Sequence, residues 1–290
     1  MPERSIRGAF DELIRQQVPT QTERDVAASH RSSVRAALDP LSIYGMTETG
    51  SFRHGTAIRG HSDVDVIAMM RGDRPTSADT ALDRVRTRLA SAFPLTSVRV
   101  NRPAVVVDFA GGAERWEVIP GYPLRVSGDH LVYAIPAPGG TWLETSPEAH
   151  LEYVTAQNKA PSGGAKSLAR LVKAYKYFNF SAFKVSSFYL EMRAAKYMAD
   201  ETAFLSDIDF VRLLERLVAA ELAPMNDPTG VTGRFSATST DAYRAEALSR
   251  LKFDAKQARE ALSLEAEGRR AEAFAKLDSV FVCEFPPRFY

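Results

Sequence analysis

Apolar residues change their spacing about halfway along the chain. The first half is mixed. Residues 5–18 and 22–39 carry apolar side chains at helical spacing, with Thr20 or Thr22 as N-caps and Pro40 as the stop. Short strand-like runs follow at 41–46 and 63–70, then an amphipathic helix from Ser77 to Phe93 (Leu82, Val85, Leu89 and Phe93 on one side). Further strands are predicted at 97–100, 103–109 and 115–119, with Gly111-Gly112 as a hairpin turn. The Pro- and Gly-rich stretch 121–141 reads as a loop with one strand at Leu131 to Ile135. After Pro147 the period is helical throughout, at 147–160, 166–178, 186–199, 205–222 and 239–275. Asp227-Pro228-Thr229-Gly230 reads as a helix-to-helix turn within that region.

Strands and helices followed by helices alone define an α+β protein of two lobes. The expectation is a mixed-sheet lobe with N-terminal helices over 1–145 and a helical lobe over 146–290, with a cleft between them. A chain of 290 residues, 45% hydrophobic, is long enough to build both.

Charge narrows the partners. Lys and Arg number 37 against 36 Asp and Glu, so no global field attracts a long nucleic acid duplex, and the basic residues are spread among acids. The single Cys283 excludes an intramolecular disulfide and a cysteine-rich zinc site, as expected in a reducing cytoplasm. The N-terminus has no secretion-signal apolar core, and no apolar run approaches a membrane span. His30, His54, His61, His130 and His150 do not form a metal spacing.

The most informative stretch is GSFRHGTAIRGHSDVDVIAMM, residues 50–70. Gly50 and Ser51 stand where an apolar segment gives way to a polar turn. Backbone N–H groups and a hydroxyl there can cradle a triphosphate at a helix start. Asp63 and Asp65 alternate with Val64 and Val66, which sends both carboxylates to one strand face and both valines to a core. Adjacent carboxylates repel unless a cation joins them, and an oxygen-only donor set suits Mg²⁺, with Mn²⁺ as a substitute. Taken singly, an Asp-x-Asp pair is an ordinary strand edge and Gly-Ser an ordinary turn. Their combination points to nucleotidyl transfer.

Gly-Ser, a short helix and Asp-x-Asp on a strand resemble the signature of the polymerase-β-like nucleotidyltransferases. The GTAI and SDVD forms are similar to the cGAS/DncV-like branch, the bacterial CD-NTases. The resemblance implies a third acid before a Val-Val-Pro-Ala type sequence. Glu117-Val118-Ile119-Pro120 fits that context better than Asp108, although Glu replaces the commoner Asp and Gly121 the usual Ala. It also implies a triphosphate-binding lysine, matched by Lys173 with Lys176 as the alternative. Ser187 would bond phosphate and Phe188 would stack on a base, against the plainer reading of Ser186 as a cap and Phe188 as core. Asn158 could read a base edge, or simply end a helix.

The implied activity is the joining of nucleoside triphosphates into a cyclic di- or trinucleotide signal for antiphage defence. Asp63, Asp65 and Glu117 would hold two Mg²⁺ as pyrophosphate leaves. The expected protein is a cytoplasmic monomer that needs no duplex and takes a regulatory protein partner. The alternatives are a transferase acting on RNA or a protein, and an inactive nucleotide binder.

Overall fold

A computed structural model of the chain describes residues 3–61, 63–109, 114–160 and 163–289, and the Gly111-Gly112 turn lies outside them. The chain forms two compact units. One comprises residues 19–152 and 229–233; the other comprises residues 1–18, 153–228 and 234–290.

The first unit is built on a seven-stranded sheet. Its elements are α2 (Gln21–Ser29), α3 (Arg31–Leu38), β1 (Ile43–Thr49), α4 (Gly50–His54), β2 (Val64–Met70), α5 (Ala78–Ala92), β3 (Ser97–Asn101), β4 (Ala104–Phe109), β5 (Glu114–Ser127), β6 (His130–Pro136) and β7 (Trp142–Thr145). The strand order is β1-β2-β5-β4-β3, with β6 paired to β5 and β7 to β6. All pairs are antiparallel except β2 with β5. A parallel pair needs a crossover, and the chain supplies it through α5 and the β3–β4 hairpin. Val64, Val66, Ala68, Val105, Val107, Trp116 and Val118 form a core with Val34 and Leu38 of α3 and Leu82, Val85 and Leu89 of α5. The opposite face carries a smaller apolar cluster of Ile67, Ala104, Ile119, Tyr133 and Ile135.

The second unit is helical. It holds α1 (Ile6–Gln16), the end of α6 (Pro147–Lys159), α7 (Ala165–Phe178), α8 (Ser187–Met198), α9 (Ser206–Ala219), α10 (Asp241–Ala266) and α11 (Arg270–Val280). The division therefore differs from a boundary at 145/146, falling inside α6 and placing α1 with the helical unit. Aromatic packing explains the latter. Phe10 is fully buried, with ring centroids 5.1 Å from Phe285, 5.3 Å from Phe210 and 5.8 Å from Phe281.

Four local expectations are corrected. The predicted 22–39 helix is two helices. Thr20 and Glu23 form a capping box ahead of α2, and the break comes at His30. That ring stacks on Phe109 at 3.9 Å, and its Nδ1 lies 2.8 Å from Glu114 Oε2. The predicted 239–275 helix breaks between α10 and α11 at Gly268, which adopts a φ of 76°. The 121–141 stretch is largely strand, because β5 changes partner there: it pairs with β2 through Gly121 and with β6 from Tyr122. Asp227 to Gly230 lies in the connection of a small hairpin, β8 (Met225–Asn226) with β9 (Arg234–Phe235), and not between two helices.

A buried polar group holds the helical core in register. Asp254 Oδ2 accepts from Tyr175 Oη at 2.8 Å and from Arg250 Nε at 2.5 Å. Burial raises the Asp254 carboxyl above its usual range, against the opposing pull of Arg250 and Tyr175. Tyr175→Phe would remove one of those donors from a buried carboxylate. It is expected to destabilise the protein by about 1–3 kcal/mol, read by urea unfolding, with no change in the fold.

Candidate active site on the sheet

Register places the acids. The parallel ladder sets Asp65 opposite Glu117 and Val64 opposite Trp116. Strand alternation then puts Asp63, Asp65, Arg115 and Glu117 on the face away from α5. The antiparallel neighbour β4 adds Asp108, directly opposite Arg115.

These charges are arranged unequally. Arg115 bridges two of the acids, with its Nη2 2.6 Å from Glu117 Oε1 and its Nε 3.5 Å from Asp63 Oδ2. Asp108 is taken by Arg99 of β3, Nη2 to Oδ2 at 3.2 Å. Burial, and next the charge of Glu117, push the Asp63 carboxyl up to about 6, and Arg115 only partly offsets them. The shift reflects first the burial of the carboxyl and then the negative charge beside it.

Gly50 makes the crowding feasible. Its φ is 68°, and a Cβ there would stand 2.6 Å from Asp65 Cγ and 2.8 Å from Asp65 Cβ, so no side chain fits. Ser51 follows in α4, a single turn closed by Gly55 at a φ of 69°, with Thr56 N donating to Ser51 O at 2.9 Å. Gly50, Ser51, Asp63, Asp65 and Glu117 thus all belong to the sheet unit.

The remaining candidates belong to the helical unit. Lys173 is 2% exposed and lies 3.6 Å from Glu191 Oε2, so it is a buried charge and not a solvated one. Lys176 Nζ donates to Ser187 Oγ at 2.6 Å, which brings Ser187 to the alternative lysine. Ser186 caps α8, accepting from Tyr189 N at 3.3 Å. Phe188 packs on Phe235 at 4.9 Å between ring centroids. Asn158 Oδ1 accepts from Lys166 N at 3.0 Å, which commits its carbonyl oxygen to the start of α7.

Arg115 was absent from the sequence expectation. Its signal was available, since Arg115 alternates with Glu117 across Trp116 as Asp63 does with Asp65. Among the described residues no three His, Cys, Asp or Glu side chains stand close enough together to enclose a metal ion. The donor type nevertheless fits a hard divalent cation: three carboxylates on neighbouring strands, a glycine that leaves them room, and one carboxyl raised by burial and by the charge of Glu117. Among the described residues no helix is long and apolar enough to cross a membrane.

Residues 5–158 match the Second Messenger Oligonucleotide or Dinucleotide Synthetase domain, and the chain belongs to that family. Two curated relatives are each named cyclic AMP-AMP-AMP synthase. That of Escherichia coli strain MS 115-1 is 29% identical over 206 residues, 63% of this chain and 62% of its own length. That of Acinetobacter sp. strain ATCC 27244 / 9458 is 28% identical over 249 residues, 78% of this chain and 70% of its own length. The match thus spans less than two thirds of the first relative. Among solved structures, E. coli MS115-1 CdnC with ATP superposes at a TM-score of 0.76 and 19% identity, covering 96% of this chain and 98% of that one. The Bradyrhizobium diazoefficiens CD-NTase CdnG in complex with GTP reaches 0.69 at 14% identity, covering 95% and 98%. CdnC has also been solved in a complex with HORMA-deltaN. The fold is that of the CD-NTases, whose chemistry uses divalent metal ions.

Gly50→Ala tests the packing of α4 against β2. A left-handed φ costs a non-glycine residue about 1–2 kcal/mol, and the new methyl must move the Asp65 carboxylate. Product formation is expected to fall at least tenfold while the melting temperature drops by only a few degrees. Unchanged turnover would show that the Asp65 position is not needed.

Proposed function

We propose that this chain is a nucleotidyltransferase that joins nucleoside triphosphates into a cyclic oligonucleotide. Its two curated relatives are named for the product cyclic AMP-AMP-AMP, and on that likeness the substrate proposed here is ATP. The observation that carries the reading is the acid face of β2 and β5, backed by Gly50, in a chain of the synthetase family.

In each round, a ribose hydroxyl oxygen of one nucleotide attacks the α-phosphorus of another. A phosphodiester bond forms, the bond to pyrophosphate breaks, and the hydroxyl proton leaves to solvent. Divalent cations held by Asp63, Asp65 and Glu117 would supply the charge neutralisation and hydroxyl activation that this displacement needs. Asp65 and Glu117, opposite each other in the parallel ladder, would offer carboxylate oxygens from two neighbouring strands. Gly50 and Ser51 hold the turn beside them, with a hydroxyl and backbone N–H groups for phosphate oxygens. On the helical unit, Lys173 would contact the triphosphate, with Lys176, bonded to Ser187, as the alternative, and Ser187 would bond phosphate. Lys173 stands one turn earlier on α7, and Phe188 supports a base. Asn158 keeps its structural part at the start of α7. Asp108 stays with Arg99 and takes no share in the metal site.

The protein is read as cytoplasmic and as the source of a signal in phage defence. A duplex is not required, since the charges balance, and a regulatory protein partner is the expected trigger, in keeping with the HORMA complex solved for CdnC.

Incubation with all four triphosphates and Mg²⁺, followed by mass analysis of the phosphatase-resistant product, tests the function directly. A cyclic product supports it; an elongated RNA, a modified protein or binding without turnover does not. Asp63→Asn, Asp65→Asn and Glu117→Gln should each lower turnover by at least about 10²–10³. Asp108→Asn should stay within about tenfold, near 1.4 kcal/mol in barrier. An inactive Asp108→Asn beside an active Glu117→Gln would transfer the third acid to Asp108.

A further inference from the structure

Arg115 has no part in the reading above, yet it touches two of the three acids. Its backbone is pinned by pairing with Asp108 of β4, and its neighbours Glu114 and Trp116 are buried on the opposite face. Its side chain can therefore lie only on the acid face. There it holds Glu117 at 2.6 Å and Asp63 at 3.5 Å. Arg99 is engaged with Asp108, so it does not duplicate this role.

A divalent ion of the Mg²⁺ class needs carboxylate oxygens at about 2.0–2.1 Å in a compact shell. A guanidinium bonded to Glu117 Oε1 occupies an oxygen that such a shell would use. The Arg115 side chain is 31% exposed and Glu117 18%, so water and ions reach the pair.

We propose that Arg115 is a positioning residue that serves as the resident counter-cation of the acid face, and that its guanidinium must leave Glu117 and Asp63 before a divalent ion binds there. Arg115 thus stabilises the metal-free protein and weakens its affinity for a metal in the absence of substrate. The inference rests on reading Asp63, Asp65 and Glu117 as the metal ligands.

The test is Mn²⁺ binding to the full chain without nucleotide, followed by the free-ion electron paramagnetic resonance signal, together with melting temperatures in chelator and in Mn²⁺. Arg115→Met keeps the length of the stem and removes the charge. It should bind Mn²⁺ at least tenfold more tightly than the unaltered protein, melt lower in chelator, and regain more stability on adding Mn²⁺. Arg115→Lys keeps a charge without the fork and should bind at least threefold more tightly, which keeps the test usable if the Met variant does not fold. Affinities within twofold of the unaltered protein for both variants, with Mn²⁺ binding lost in Asp65→Asn, would overturn the role of Arg115 and leave the acid site standing. Failure of every variant and of the unaltered protein to bind Mn²⁺ would overturn both.

Discussion

Like charges held together on one sheet face are the constraint around which the first unit is organised. Cross-strand neighbours stand roughly 5 Å apart, and at that separation two carboxylates in a partly buried setting repel by about 3 kcal/mol. Such a sum is a large part of the roughly 5–15 kcal/mol that keeps a domain folded. The arrangement therefore needs a rigid backbone and local compensation. The backbone comes from the parallel β2–β5 pair, with a valine- and tryptophan-rich core on the opposite face that resists any slip of register. A slip of one residue would turn Asp63 and Asp65 into that core and Val64 and Val66 out of it.

Compensation is shared between two arginines. Each sits on the same face as the acids it neutralises, one strand step away or two residues along. Arg99 closes off Asp108, and Arg115 divides itself between Asp63 and Glu117. The division is uneven, because the Glu117 contact is a short hydrogen bond and the Asp63 contact is long. Burial, and next the charge of Glu117, keep the Asp63 carboxyl raised, and Arg115 offsets them only in part. Gly50 completes the arrangement by letting the turn approach Asp65 more closely than any side chain would allow.

Much of this was legible in the residues. The alternation of Asp63, Val64, Asp65 and Val66 is a local pattern, and a strand read from it has only one way to face. Glu117 followed only from the resemblance, through Glu-Val-Ile-Pro, since the residues alone left Glu117 and Asp108 as ordinary strand acids. What escaped the sequence depends on distant partners. The break at His30 is explained by Glu114 and Phe109, some 80 positions away and invisible to a helical period. The strand character of 121–127 was masked by Pro120 and Pro123, which lie where β5 changes partner. The β8–β9 hairpin has two residues per strand, too few to show a period. The burial of Lys173 against Glu191, eighteen positions on, is likewise not visible in the helical period.

The contrast between the buried pairs and the acid face shows which charges can be exchanged for a ligand. Lys173 and Glu191 are 2% and 4% exposed at their side chains, and Asp254 is fully buried beside Arg250. Removing one partner from such a pair strands the other in a medium that cannot solvate it, at about 3–5 kcal/mol. Those pairs are fixtures of the helical core. Any contact Lys173 makes with phosphate must therefore leave Glu191 in place. Arg115 and Glu117 are 31% and 18% exposed at their side chains, so water reaches both if they part, and parting them costs less than breaking a fully buried pair. Partial exposure thus gives the acid face what full burial denies the helical core: a cation that holds the site and can be exchanged for another.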